Sequence, residues 1–319
     1  MKPKILFILH LPPPIHGAAM MGKYIQESEL INSSFDCFCI NLATAGSLSD
    51  IGHISLKKLL KYFFLLKHIS NVVREIRPEL VYITPNAGRK AFFKDFIVVQ
   101  MLKSMGCKVI AHYHNKGVSV YQSKWVYNFF YKRFFSNLKV ILLAENLYKD
   151  MAKYVKREDV YICPNGIPSS CKEEMEARRN NVIPHLLFLS NLLISKGVIV
   201  LLDALRILKE KGYLFNCQYV GGETAEINAM QFVVEVERRK LNDRVAYAGR
   251  KVGEEKNTFF QQADIFILPT MNECFPLVIL EAMEYKLPVI STNEGGIPDI
   301  VKDGENGLIC EKQNPYSLA

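Results

Sequence analysis

The sequence predicts an α/β protein with two doubly wound parallel sheets, one in each half of the chain. Three observations carry this expectation. At 319 residues the chain exceeds what one hydrophobic core normally serves. Short apolar runs alternate with amphipathic stretches from end to end, as strands joined by crossover helices do. Near the middle a charged, Asn-rich stretch interrupts the alternation, which then restarts.

The first run, KILFIL (4–9), follows two lysines and raises the question of a signal peptide. It is short, meets His10 and ends in three prolines, so it reads as a first strand followed by a rigid loop. FDCFCINL (35–42) comes next, with Cys37 and Cys39 alternating with Phe38 and Ile40 as strand residues do. LVYIT (80–84), KVIAHY (108–113), KVILLA (139–144) and VYIC (160–163) complete the first half. PNGIPSS and KEEMEARRNN make residues 164–184 the linker candidate, which divides the chain into domains 1–168 and 169–319. The second half supplies HLLFLS (185–190), NCQYVGG (216–222), VAYAG (245–249), DIFILP (264–269), PVIS (288–291) and GLIC (307–310). Two such halves place a ligand cleft at the carboxyl ends of their strands.

Composition narrows the function. Hydrophobic residues make up 49% and charged residues 23%, an ordinary globular balance. The eight cysteines form no CxxC pair and no zinc-spaced cluster with histidine, which reads as reduced structural thiols in a cytoplasmic protein. No run of 18 apolar residues occurs, so a membrane would be met from one side only. The absence of GxGxxG excludes a typical nicotinamide dehydrogenase. Charge is unevenly placed: residues 1–168 hold 23 Lys and Arg against 11 Asp and Glu, and residues 169–319 hold 17 against 21. The basic excess interleaves with aromatics in SLKKLLKYFFLLKHI (55–69) and YQSKWVYNFFYKRFF (121–135), as in helices that lie on an anionic membrane. A nucleic-acid surface would show the same charge, but no recognised binding motif accompanies it; a solvated basic face is the plainer alternative.

Candidate site residues fall just after the strands. Gly17 and Ala18 follow the first, where small residues let a ligand approach a helix start. His112 and His114 end another, two residues apart. Lys196, Gly221, Gly222, Gly295 and Gly296 occupy equivalent places in the second half. In NECFPLVILEAM, Glu273 and Glu281 are eight residues apart, a little over two helical turns, which would put both carboxylates on one helix face. A second reading has Glu273 accepting backbone N–H groups at a helix start near Pro276, with Glu281 a solvated helix residue.

With these motifs in order, the chain resembles the group 1, or family 4, glycosyltransferases of the GT-B fold, two Rossmann-like domains facing across a cleft. The likeness runs through nearly the whole sequence and is strongest from HLLFLSN to DGENGLICEK. Its most specific part is E-x7-E in ECFPLVILE, supported by the glycine-bearing first loop, PNGIP, GVIVLLDALRILKEKG and STNEGGIPDIVKDGENGL. The resemblance implies retaining transfer of a hexose from a UDP- or GDP-type nucleotide-sugar to an acceptor hydroxyl, with no metal and no other cofactor. It implies that Glu281 accepts the ribose hydroxyls, that Glu273 contacts the donor sugar and that Lys196 neutralises the departing phosphate. Backbone N–H groups at Phe275 and Leu277 would face the diphosphate, and Arg250 to Val252 would edge the base. His114 matches the histidine near the transferred sugar and acceptor. Two departures stand out: Asn191 occupies the family's usual arginine position on the donor side, and Cys274-Phe275-Pro276 replaces Gly-Phe-Gly, removing one N–H.

From its basic and aromatic stretches, the N-terminal domain is expected to lie peripherally on the inner face of an anionic membrane and to take a lipid-linked or polysaccharide acceptor, with no nucleic-acid partner. The chain ends at EKQNPYSLA, where the family continues with closing helices, so an incomplete second domain with exposed apolar surface is expected. A nucleotide-sugar-binding protein without turnover, or a partner subunit, is the alternative; a sugar-nucleotide epimerase of similar two-domain shape is a weaker one.

Overall fold

In a computed structural model, which describes residues 2–13, 17–42, 56–168 and 181–319, all twelve apolar runs form β-strands. The first sheet contains β1 (Lys4–Leu9), β2 (Asp36–Asn41), β3 (Leu80–Ile83), β4 (Val109–Tyr113), β5 (Lys139–Leu142) and β6 (Val160–Ile162). The second contains β7 (His185–Leu189), β8 (Asn216–Val220), β9 (Val245–Tyr247), β10 (Ile265–Leu268), β11 (Val289–Thr292) and β12 (Gly307–Cys310). The orders are β2-β1-β3-β4-β5-β6 and β12-β11-β10-β7-β8-β9. Neighbours pair in parallel, with Phe7 beside both Cys39 and Tyr82, and Phe266 beside both Leu187 and Val289. Most strands stop a residue or two before the apolar run does, because Thr84, Pro269 and Gly221-Gly222 leave the ladder to begin the carboxyl-end loops.

The chain divides into two compact units, Met1–Asn165 and Gly166–Ala319. Residues 169–180 of the expected linker lie outside the described residues, as do residues 43–55 between β2 and the next helix. In each unit the winding reverses once. The chain passes from β1 to β2 and then returns to the far side of β1 as β3; it passes from β7 through β8 and β9 and returns to the far side of β7 as β10. Loops at such reversals splay apart at the carboxyl ends and leave room for ligand.

Sequence pattern explains the packing. Helix Val198–Glu210 turns Val198, Leu201, Leu202, Leu205 and Ile207 inward at helical spacing. Helix Ala229–Arg238 starts with a reciprocal cap between Asn228 and Gln231. Between them lies an aromatic core in which Tyr219 sits 4.9 Å from Phe188 and 4.8 Å from Phe232, ring centre to ring centre. In the first unit, fully buried Phe92 packs 4.6 Å from Tyr131 and 5.5 Å from Phe134. Pro315–Leu318 forms a single turn capped by the Asn314 side chain, and Leu318 packs against the second core. The seven cysteines among the described residues are free, and no described helix is long and apolar enough to cross a membrane. Phe266, in the central strand β10, is wholly buried. Phe266→Ala is expected to cost about 3–5 kcal/mol, read as a lower urea midpoint.

Candidate functional site

At the reversal in the second unit, β7 leads into the loop carrying Lys196 and β10 into the loop carrying Glu273. Gly197 holds the two together: its φ is 84°, and a Cβ there would overlap the Pro269 carbonyl. The Met271 N–H donates to the Ser195 carbonyl at 2.8 Å, and the Thr270 hydroxyl donates to the same oxygen at 3.1 Å. Lys196 Nζ consequently meets the Glu273 carboxylate and also donates to the Asn272 carbonyl at 3.2 Å. One cation and one anion from separate loops share a partly open position.

Glu273 is not on the helix. Pro276 has no N–H and keeps Phe275 out of helical geometry, so the helix starts only at Leu277 and runs to Glu284. The one-face expectation for the two glutamates is therefore corrected: Glu273 is positioned by its loop and Glu281 by the second helical turn. That loop is pinned by Gly295, whose φ of 57° and missing side chain let it lie against the Glu273 carbonyl, and by a 2.7 Å bond from the Gly296 N–H to the Cys274 carbonyl. Phe275 buries its side chain. Pro276 caps the helix without a side-chain bond, and first-turn N–H groups such as that of Leu277 have no intrahelical acceptor.

Glu281 is no solvated helix residue either. Lys256 Nζ, from helix Gly253–Gln262, donates to its Oε1 at 2.8 Å. Sequence reading passed over Lys256, because a lysine inside a charged helix gives no signal until its neighbour across space is known. Glu294 and Lys312 form another pair on the loops after β11 and β12, missed for the same reason. Asn191 has turned its side chain to architecture: Oδ1 accepts the Gly222 N–H at 3.1 Å, tying the loops after β7 and β8. Arg250 and Val252, both exposed, flank the start of the Lys256 helix.

In the first unit, Gly17 opens helix Gly17–Glu27, exposed, with Ala18 half-buried behind it. The glycine that packing demands there is Gly22, where a Cβ would overlap the His10 carbonyl. His114 follows β4. Its Nδ1 lies 3.1 Å from Asn165 Oδ1, which places the ring proton on Nδ1 and leaves Nε2 as a buried lone pair without a partner. His112 pairs with the Tyr82 hydroxyl, and the two imidazoles are 4.2 Å apart. Burial pushes His114 down to about 4 and, with His114 alongside, His112 down to about 2, so both rings are neutral at physiological pH. The adjoining loop is clamped from two sides. Asp95 accepts from the Asn86 N–H at 2.7 Å and its side-chain amide at 2.8 Å, and Asn115 Oδ1 accepts the Ala87 N–H at 2.7 Å. Among the described residues no three His, Cys, Asp or Glu side chains converge as metal ligands.

Residues 176–319 match the family described as glycosyl transferases group 1. That match covers a little under half of the chain. An uncharacterised glycosyltransferase of Methanocaldococcus jannaschii is 33% identical over 132 residues, 41% of this chain and 35% of that protein. The amylovoran biosynthesis glycosyltransferase AmsK of Erwinia amylovora is 25% identical over 254 residues, 73% of this chain and 61% of that protein. The match thus spans less than two thirds of either relative's length. Among solved structures, sucrose-phosphate synthase from Thermosynechococcus elongatus superposes with a TM-score of 0.74 at 18% identity, over 100% of this chain and 88% of that one. Anabaena HepE in complex with UDP-glucose gives 0.70 at 19% identity, over 99% and 87%. The fold is GT-B.

In this glycosyl transferase fold the buried histidines make a testable demand on pH. Their folded-state affinity for protons is depressed, so the unfolded chain takes up protons first, and the stability they contribute is lost as pH falls from about 6.5 toward about 4 for His114. Asp95, pushed up to about 6 by burial, acts in the opposite sense and is common to both proteins in a comparison. His114→Gln is expected to flatten the acid-side fall, measured as urea midpoints at pH 7.5, 6 and 5; parallel profiles for the two proteins would remove the assignment.

Proposed function

We propose that the protein is a retaining glycosyltransferase that moves a hexose from a UDP- or GDP-sugar to an acceptor hydroxyl, for a cell-surface polysaccharide or a lipid-linked glycan. The observation that carries this is the meeting of Lys196 and Glu273 at the winding reversal, with Glu281 behind them on the helix that starts beside Phe275 and Leu277. The family match, the relative named for amylovoran biosynthesis and the HepE complex with UDP-glucose support it.

On this reading the bond from the sugar C1 to the diphosphate breaks as the bond to the acceptor oxygen forms, and the acceptor's proton ends on the departing diphosphate. Positive charge develops on the sugar ring and negative charge on the leaving group. Lys196 exchanges Glu273 for the diphosphate, and amides at Phe275 and Leu277 add fixed donors, so that charge is met by groups already in place. Glu273 then turns to the sugar hydroxyls, Glu281 holds the ribose, and Arg250 to Val252 edge the base. Gly17 and Ala18 let the donor approach the start of the first helix, and the neutral His114 offers Nε2 as a hydrogen-bond acceptor near the transferred sugar and acceptor. No metal is called on. Asn191, in place of a second clamping cation, favours as the second reading a nucleotide-sugar binder without turnover; assay with a labelled donor separates the two.

The acceptor side is proposed to work on the cytoplasmic leaflet of an anionic membrane. Helices Leu56–Ile76, Arg89–Ser104 and Trp125–Phe135 lie side by side, tied by the Tyr62 hydroxyl to the Lys94 carbonyl at 2.6 Å and by Phe130 against Phe93 and Phe96. Leu59, Leu60, Phe63, Phe64, Trp125 and Phe129 are exposed, amid lysines and arginines whose only acidic neighbours on these helices are Glu75 and the buried Asp95.

Two outcomes are expected. Glu281→Ala weakens UDP or GDP binding by roughly 1.5–3 kcal/mol while Glu273→Gln mainly lowers turnover; thermal shift and labelled-donor assay read the two, and no change in either folded variant ends the assignment. Phe63→Ser with Trp125→Ser reduces flotation with phosphatidylserine vesicles several-fold at constant salt, and equal recovery with neutral vesicles would count against the membrane face.

A further inference from the structure

The helices Gly253–Gln262 and Leu277–Glu284 follow β9 and β10, and their facing residues stack in layers four positions apart. The bottom layer is apolar: Phe260, wholly buried, stacks on Tyr285 at 5.2 Å with the rings 16° from parallel. One turn above it, Lys256 meets Glu281, their side chains 24% and 26% exposed. The top layer is Val252, 60% exposed, and half-buried Leu277. The ion pair thus lies one turn above the aromatic pair, on the side of the two helix starts.

We propose that Lys256 is a nucleoside-recognition residue, which with Glu281 reads the vicinal 2′,3′-diol of the donor's ribose. This rests on the proposed binding of a nucleotide-sugar at Glu281. A vicinal diol offers two O–H donors and the lone pairs of two oxygens. A carboxylate can only accept, so Glu281 alone satisfies half of that pattern. The Lys256 ammonium has three N–H donors, of which one goes to Glu281 Oε1, and the others supply the missing half. The lysine stem runs beside the Phe260 ring, with Nζ 5.9 Å from the ring centre, so the ammonium is held in place by packing as well as by charge. An ion pair placed only to join the helices would be indifferent to the ligand, because Phe260 and Tyr285 already join them.

The readout is the ratio of Kd for 2′-deoxy-UDP over UDP, and for 2′-deoxy-GDP over GDP, by calorimetry on the full chain. The wild type is expected to prefer the ribonucleotide by on the order of 10-fold or more, as losing a hydrogen bond to charged groups implies. Lys256→Met is expected to narrow the ratio to a few-fold, Glu281→Gln to narrow it likewise, and the double variant to go little further than either. Lys256→Gln serves if Lys256→Met melts early. A Lys256 variant that keeps the wild-type ratio overturns this inference alone, as does a wild type that binds nucleotides without 2′ discrimination. A wild type that binds no nucleotide overturns the proposed function with it.

Discussion

The backbone of Gly295 rests on the carbonyl of Glu273, and the placement of Lys196 and Glu273 in the second unit depends on that contact. Any side chain at 295 would push the loop after β11 off the loop after β10, and the Cys274 carbonyl would lose its bond from Gly296. A similar interlock joins the loops after β7 and β8, where a Cβ on Gly221 would overlap the Ser190 carbonyl. Neighbouring loops that touch backbone to backbone cannot drift independently. Lys196 and Glu273 therefore meet although 77 residues separate them in sequence.

Three lysine–glutamate pairs lie along this edge. In two of them, Lys196–Glu273 and Lys256–Glu281, both partners are partly exposed, and such pairs contribute little to folding stability, typically about 0–1 kcal/mol, whereas Glu294 of the third is buried. A cation held that lightly can change partners when a more highly charged anion arrives, whereas a deeply buried pair would resist. Arg239 supplies the contrast: it is buried, joined to Asp203 at 2.7 Å and to Glu235, and belongs to the scaffold. Where a second exchangeable cation could have stood, Asn191 ties two loops, so anchoring there has replaced charge.

Much of the fold was legible because parallel strands buried on both faces must be apolar throughout, and runs such as KILFIL and HLLFLS have no other plausible use. Strand ends were less clear, since Thr84 and Pro269 are compatible with either ladder or loop. The helix start at Leu277 was decided by the covalent chemistry of one residue, Pro276, as the second reading of the sequence allowed and the spacing argument for Glu273 did not. Glu281, Lys196 and His114 could be named from pattern. Their partners Lys256, Glu273 and Asn165 could not be paired with them, because such pairing is settled by which helices and loops the sheet order brings side by side. Asn191 shows the limit from the other side: a polar residue at a binding position reads the same whether it meets a ligand or a backbone amide.

The stack of Phe260 on Tyr285 separates two kinds of evolutionary constraint. Below it, every substitution is answerable to the core; above it, Val252, Lys256, Leu277 and Glu281 stand on a foundation that does not need them. On the proposed nucleoside reading, natural drift or deliberate engineering could recut that upper layer for a different nucleoside while the lower layer keeps both helices in register. Diversification of donor choice would then leave its record at two positions per helix, one turn apart, with the aromatic pair beneath them unchanged.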